Sequence, residues 1–205
     1  TIMTWLVEHA QVVSAAASVG TLCIWSIYLT IFWRGYRRQL KPKLVINRGE
    51  GNGLDAHCLL TNMSQHAIHI QGVEVSIDFA DRTSSSYITD AEDVRAAGNP
   101  HGWQRLTRQG PLASGAMMDM GTFESILNYA LRQSEEHLGP EAIQRCRITV
   151  LAIYGSEDLL VGAPRQFDLV RREGEIQLQS DSVETRQIRS RAERRKYSRG
   201  LANDV

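Results

Sequence analysis

Residues 10–33 read AQVVSAAASVGTLCIWSIYLTIFW, a run without Asp, Glu, Lys, Arg or His. At 1.5 Å per residue, about 24 residues make roughly 36 Å of helix, enough to cross a hydrocarbon core of about 30 Å with some tilt. A helix satisfies its own backbone in lipid, so the run predicts a single membrane-spanning helix. Trp5 and Trp33 would lie about 42 Å apart on a continuous helix, a separation that suits two aromatic interfaces, and Trp25, Tyr28 and Phe32 thicken the second belt.

The charges beside the run set an expected orientation. Only Glu8 and His9 precede it closely, whereas Arg34, Arg37, Arg38, Lys41 and Lys43 follow within ten residues. A secretory signal opens with basic residues, and none stands before Arg34, so a retained anchor is expected although Ala15, Ala16 and Ala17 imitate a cleavage site. The positive-inside rule then places the amino terminus outside and the remaining bulk in the cytoplasm beneath a cell inner (plasma) membrane. The expected interface residues are Trp5, Trp25, Tyr28, Trp33, Arg34, Arg37, Arg38 and Lys41. Ala10, Ser14, Ala17 and Thr21 recur at helical spacing, with Ala16 and Gly20 on the adjacent ridge. Such small residues let helix backbones approach closely in lipid, so this face is the candidate contact with another membrane helix or a second copy.

Beyond the anchor, about 130 residues remain once a polar tail is set aside, enough for one core. The expected division is 1–42 for the anchor and basic collar, 43–172 for a cytoplasmic domain and 173–205 for a basic, partly helical or disordered tail. The chain has no formal net charge, yet residues 44–180 hold 18 acidic and 11 basic side chains, and residues 181–205 hold seven basic and four acidic ones. An acidic body between basic ends suits contact of those ends with anionic lipid and argues against nucleic acid as a partner. Cys23, Cys58 and Cys146 make no CxxC pair, so reduced thiols are expected in a cytoplasmic domain, whereas the reverse orientation would allow Cys58 and Cys146 to pair across a sandwich.

Pro42 ends the helix. Residues 44–46, a glycine-rich turn at 48–53 and residues 56–61 read as a hairpin; Gly49, Gly51 and Gly53 lack the following helix that a phosphate loop needs. Ile68 and Ile70 differ in parity from Val73, Val75, Ile77 and Phe79, which places a bulge or bend at Gly72, where the strand is expected to pass between sheets. A return strand at 85–89, a short helix at 91–97 and loop at 103–110 follow. Residues 112–120 resume extended structure, with Ala116, Met118 and Met120 on one face. Phe123, Ile126, Leu127, Ala130, Leu131 and Leu138 share one face of a predicted helix over 123–138, with Thr122 as its cap. Residues 146–154 are apolar on both faces and predict a central strand. Gly162 and Pro164 are expected to interrupt the next strand at an edge or a bulge.

Candidate chemistry is sparse. His57, His66, His69 and Cys58 are close in sequence, but strand alternation sends His57 and Cys58, and likewise His66 and His69, to opposite faces, against a metal site. Ser156 lacks the second glycine of a nucleophile elbow, and Glu157 and Asp158 sit in a turn. No cofactor or catalytic residue is therefore assigned, and no enzyme is expected. The fold class expected is mainly β: one transmembrane helix, then an immunoglobulin-like antiparallel β-sandwich with one inserted amphipathic helix. The function expected is a single-pass protein-interaction module, an accessory or assembly subunit of a larger membrane complex. The alternative is a membrane-tethered sensor or effector whose sandwich binds a small ligand.

Overall fold

The computed structural model describes residues 9–39, 41–88, 109–133, 138–155, 160–172, 174–182 and 184–204. The chain divides into two compact units, Thr1–Lys41 and Pro42–Val205. In the first, helix α1 (Ala10–Gln39) is apolar on every side up to Trp33 and continues through Arg34, Arg37 and Arg38, with Lys41 and Lys43 beyond its end. Its stretch Ala10–Arg37 is long and apolar enough to cross a membrane, and none of it is buried within the protein.

The second unit is mainly β. The first sheet joins β1 (Leu44–Arg48), β2 (His57–Asn62) and β6 (Met117–Thr122) in the order β1-β2-β6. The second joins β3 (Ile68–Asp78), β4 (Thr83–Ile88), β7 (Arg145–Tyr154), β8 (Val161–Arg172) and β9 (Glu175–Ser180) in the order β4-β3-β7-β8-β9, with β5 (Gly110–Leu112) on β3 beside β4. All pairings are antiparallel. Alternation along each strand sends one side-chain set inward, and both sheets contribute to one apolar core. Leu44, Ile46 and Leu60 of the first sheet belong to the same buried cluster as Val75, Ile77, Ile148 and Val150 of the second.

The parity change in β3 sits where the sequence placed it, for Ile70 opposes Ala152 and Gly72 opposes Leu151 with a register shift between them. The strand nevertheless stays in one sheet: the extra residue re-aims Val73, Val75 and Ile77 at the core without sending the chain across. Helix α2 (Phe123–Gln133) buries Phe123, Ile126, Leu127, Ala130 and Leu131 and lies against β3, β4 and β6. Thr122 caps it by accepting from Ser125 N at 3.2 Å, and Phe123 meets Phe167 edge-on at 4.8 Å between ring centres. Leu138, expected on the same buried stripe, lies outside any helix and is 44% exposed.

Pro164 does not interrupt β8, which runs unbroken opposite β7 with Pro164 facing Thr149. On its other side β8 pairs β9 only from Phe167 onward, so at Pro164 the strand is locally an edge and the missing N–H costs no ladder bond. Sheet structure also continues beyond residue 172: β9 forms a hairpin with β8, and the last described segment packs on the fold. Gln187 Oε1 accepts from Leu44 N at 3.1 Å and Thr185 Oγ1 accepts from Ile46 N at 3.0 Å. These two side chains satisfy the outward N–H groups of Leu44 and Ile46 and cover that part of an edge open to unwanted strand pairing. Ile188 N then donates to Gly162 O at 2.7 Å, and the buried Ile188 side chain lies against Gly162. Helix α3 (Arg191–Asp204) follows, with Tyr197 beside Glu74 and Thr149, and Gly200 facing the Tyr87 hydroxyl. The predicted helix at 91–97, the 103–110 loop up to residue 108, and the turn bearing Ser156, Glu157 and Asp158 lie outside the described residues.

Candidate functional sites

On α1 the small residues Ala10, Ser14, Ala16, Ala17, Gly20 and Thr21 are all exposed. Four hydroxyls turn back onto the helix. Ser18, Thr21, Ser26 and Thr30 donate to the carbonyls of Ser14, Ala17, Leu22 and Ser26 at 2.8–2.9 Å. That internal satisfaction removes the penalty of unpaired hydroxyls in hydrocarbon. At the basic end, Trp25, Tyr28 and Trp33 are exposed, the Arg37 guanidinium lies 5.4 Å from the Trp33 ring centre, and Phe32 stacks near Tyr36. Trp5 lies outside the described residues, as does the Arg38 side chain.

The histidines disperse in the β unit. His57 Nδ1 lies 2.8 Å from Asp119 Oδ2 on the outer face of the first sheet, an exposed pair of small energetic weight. Gln71 Nε2 donates to His69 Nδ1 at 2.9 Å, and the His66 ring lies 6.2 Å from that of Tyr154. Among the described residues, no three His, Cys, Asp or Glu side chains gather as metal ligands would. Cys58 and Cys146 are fully buried in facing sheets, and neither is in a disulfide. Burial pushes the Cys146 thiol far above its ordinary range and nearby Cys58 adds to the shift, so Cys146 is a poor nucleophile.

Two built features escaped the sequence. At the far end of β1, a groove of about 270 Å³ is lined by Arg48, Asn52, Arg172, Gln177, Gln179 and Ser180. The Arg48 Nη1 group donates to Leu178 O, and Leu178 N donates to Asn52 O at 2.8 Å, so the β1–β2 turn is fastened to β9. Arg165 joins β8 to β1 nearby, donating to Ile46 O, to Asn47 Oδ1 at 2.8 Å and to Ser182 O at 3.2 Å. Burial lowers its guanidinium below the usual range. Alternation places Arg48 on the inner side of its strand, but no sequence signal joins it to β9.

The near end of β1 is organised by Asn62, which has no exposed surface. Its Nδ2 faces the carbonyls of His66, Leu112 and Ala113 at 3.0–3.1 Å, and its Oδ1 accepts from Ser64 N at 2.9 Å. Ser64 Oγ accepts from Lys43 N at 2.9 Å, and Ser114 Oγ donates to Ser64 O at 2.6 Å. Two turns and the chain entering from α1 are thus tied to one buried amide. The Asn62-Met63-Ser64-Gln65 stretch reads as a turn in sequence; that its first side chain points into the protein has no local signature.

Comparison of the chain with protein-family models, curated proteins and solved structures finds no match. The class that the geometry defines is a two-sheet β protein behind an N-terminal apolar helix.

Proposed function

We propose that this chain is a single-pass membrane-anchored interaction module, an accessory or assembly subunit of a larger inner-membrane complex, with its β unit in the cytoplasm. The observation that carries this reading is α1, whose apolar surface is exposed on every side and needs lipid or another helix around it. The exposed small-residue face supports close approach of a second helix. Sheet order supports the immunoglobulin-like reading of the β unit: β1-β2-β6 takes the places of strands A, B and E, and β4-β3-β7-β8 those of C′, C, F and G. Nothing in this reading requires catalysis.

Sizing in mild detergent tests the proposal. The expected result is a species larger than the protein–detergent monomer, or one with a stoichiometric partner, that shifts to monomer with Ala17→Leu and Gly20→Leu. A strict monomer unaffected by either change and without a partner overturns it.

The groove lined by Arg48 and Arg172 favours a second reading, a tethered sensor for a small anionic ligand. A ligand present at 100 times its dissociation constant adds about 2.7 kcal/mol of stability. Thermal unfolding of the full chain across a panel of anionic metabolites separates the two readings, since the interaction module shows no such shift.

A further inference from the structure

The outer face of the first sheet carries an apolar patch at the end where the chain arrives from α1. Antiparallel pairing sets Val45 opposite Thr61 and Thr61 opposite Met117. One step nearer the anchor the ladder continues, with Met63 N donating to Lys43 O at 2.8 Å. Alternation puts Lys43, Val45, Thr61, Met63 and Met117 on one face. Met63 is 58% exposed and Met117 62%, the highest values for large apolar side chains among the described residues of the β unit. The buried Asn62 cluster holds both turns that frame them, so the patch is built and not a frayed loop.

We propose that this sheet face rests on the anionic surface of the bilayer that holds α1, with Met63 and Met117 at headgroup depth and Lys41 and Lys43 among the phosphates. Two observations select lipid as the occupant. Residues 40–43 alone separate α1 from β1, a link that reaches about 17 Å fully extended, so the start of β1 stays close to the membrane surface. The charge at this end is complementary to an anionic leaflet, because Lys43 is exposed on the patch itself and the exposed Lys41, Arg37 and Arg34 precede it in the chain. On the same face Asp119 stands one row further from the start of β1 and faces His57. Soft, unbranched methionine side chains adapt to an irregular lipid boundary. This inference rests on the membrane-anchor reading.

The test uses the full chain with methyl-labelled methionine in lipid nanodiscs that carry a gadolinium chelate on a fraction of their headgroups. Met63 and Met117 lines are assigned with Met63→Leu and Met117→Leu. The buried Met120 serves as the internal reference, about 10 Å further along β6 than Met117. In phosphatidylcholine discs containing phosphatidylglycerol, the Met63 and Met117 lines should broaden several-fold more than Met120, and Lys41→Glu with Lys43→Glu should remove most of that difference. Co-elution with the discs but broadening no greater than that of Met120 overturns the surface contact and leaves the anchor intact. Protection of these methyls only when a co-purified polypeptide is bound assigns the face to a protein and also overturns it. Elution apart from the discs overturns the anchor reading and this inference together.

Discussion

At the residue scale, Asn62 and Cys146 show how much one buried polar atom decides. Asn62 is a donor facing three carbonyls, so Asn62→Asp keeps the shape and reverses the sense of those contacts. Leaving buried acceptors unmatched costs about 1–3 kcal/mol each way, and a carboxylate there would be held well above its ordinary range by burial and by the carbonyl dipoles. A group raised in the folded state contributes stability below its unfolded pKa, so the deficit of this variant should be smallest below about pH 4 and grow as pH rises. Thermal melts from pH 3 to 8 check it, and a pH-independent deficit would contradict it. The Cys146 thiol is likewise raised by burial, and the same sign applies at the alkaline end. Its contribution is complete below about pH 8.5 and is lost above that at about 1.4 kcal/mol per pH unit, because only the unfolded thiol ionises. Cys146→Ala should remove one proton's worth of that slope in unfolding experiments between pH 8 and 10, at some cost in packing.

Elements were legible from sequence where hydrophobic period and turn chemistry agreed. The glycine-rich turn between β1 and β2, the parity change at Gly72 and the apolar stripe of α2 are local signals, each written within a dozen residues. The last segment was not legible, because what orders it lies far away in sequence. Glu175–Ser180 alternates only weakly, with Leu178 its one buried residue, and becomes a strand because β8 offers it an edge. Gln187 and Thr185 look like solvated tail residues until β1 supplies backbone groups more than 130 positions away. The groove and the Asn62 cluster were hidden for the same reason, since both join turns distant in the chain. This strap is held at its middle by Ile188, 3% exposed against Gly162, whereas no described side chain of α3 is buried. Ile188→Ala should therefore cost about 2–3 kcal/mol and free the segment after Ser180. Limited proteolysis should cleave the variant first near residues 181–190, while Arg195→Ala, on an exposed position of α3, leaves the digestion pattern of the parent.

At the scale of the whole molecule, orientation and oxidation state are one question. Cys58 on β2 and Cys146 on β7 occupy facing strands of one core, and neither is in a disulfide. In an oxidising compartment a bridge between them would close a loop of about 88 residues, worth roughly 4–5 kcal/mol on the loop-entropy account, so a secreted sandwich would gain from forming it. The basic collar from Arg34 to Lys43 argues for the other compartment, where glutathione keeps such thiols reduced. One measurement decides both orientation and oxidation state. Membranes are quenched with acid, the protein is denatured without reductant, alkylated and weighed intact. The expected outcome is that Cys23, Cys58 and Cys146 all take up alkyl groups, with no further uptake after reduction. Uptake at Cys23 alone, with Cys58 and Cys146 appearing only after reduction, would place the β unit outside, and the charge asymmetry of the collar would then need a cause other than topology.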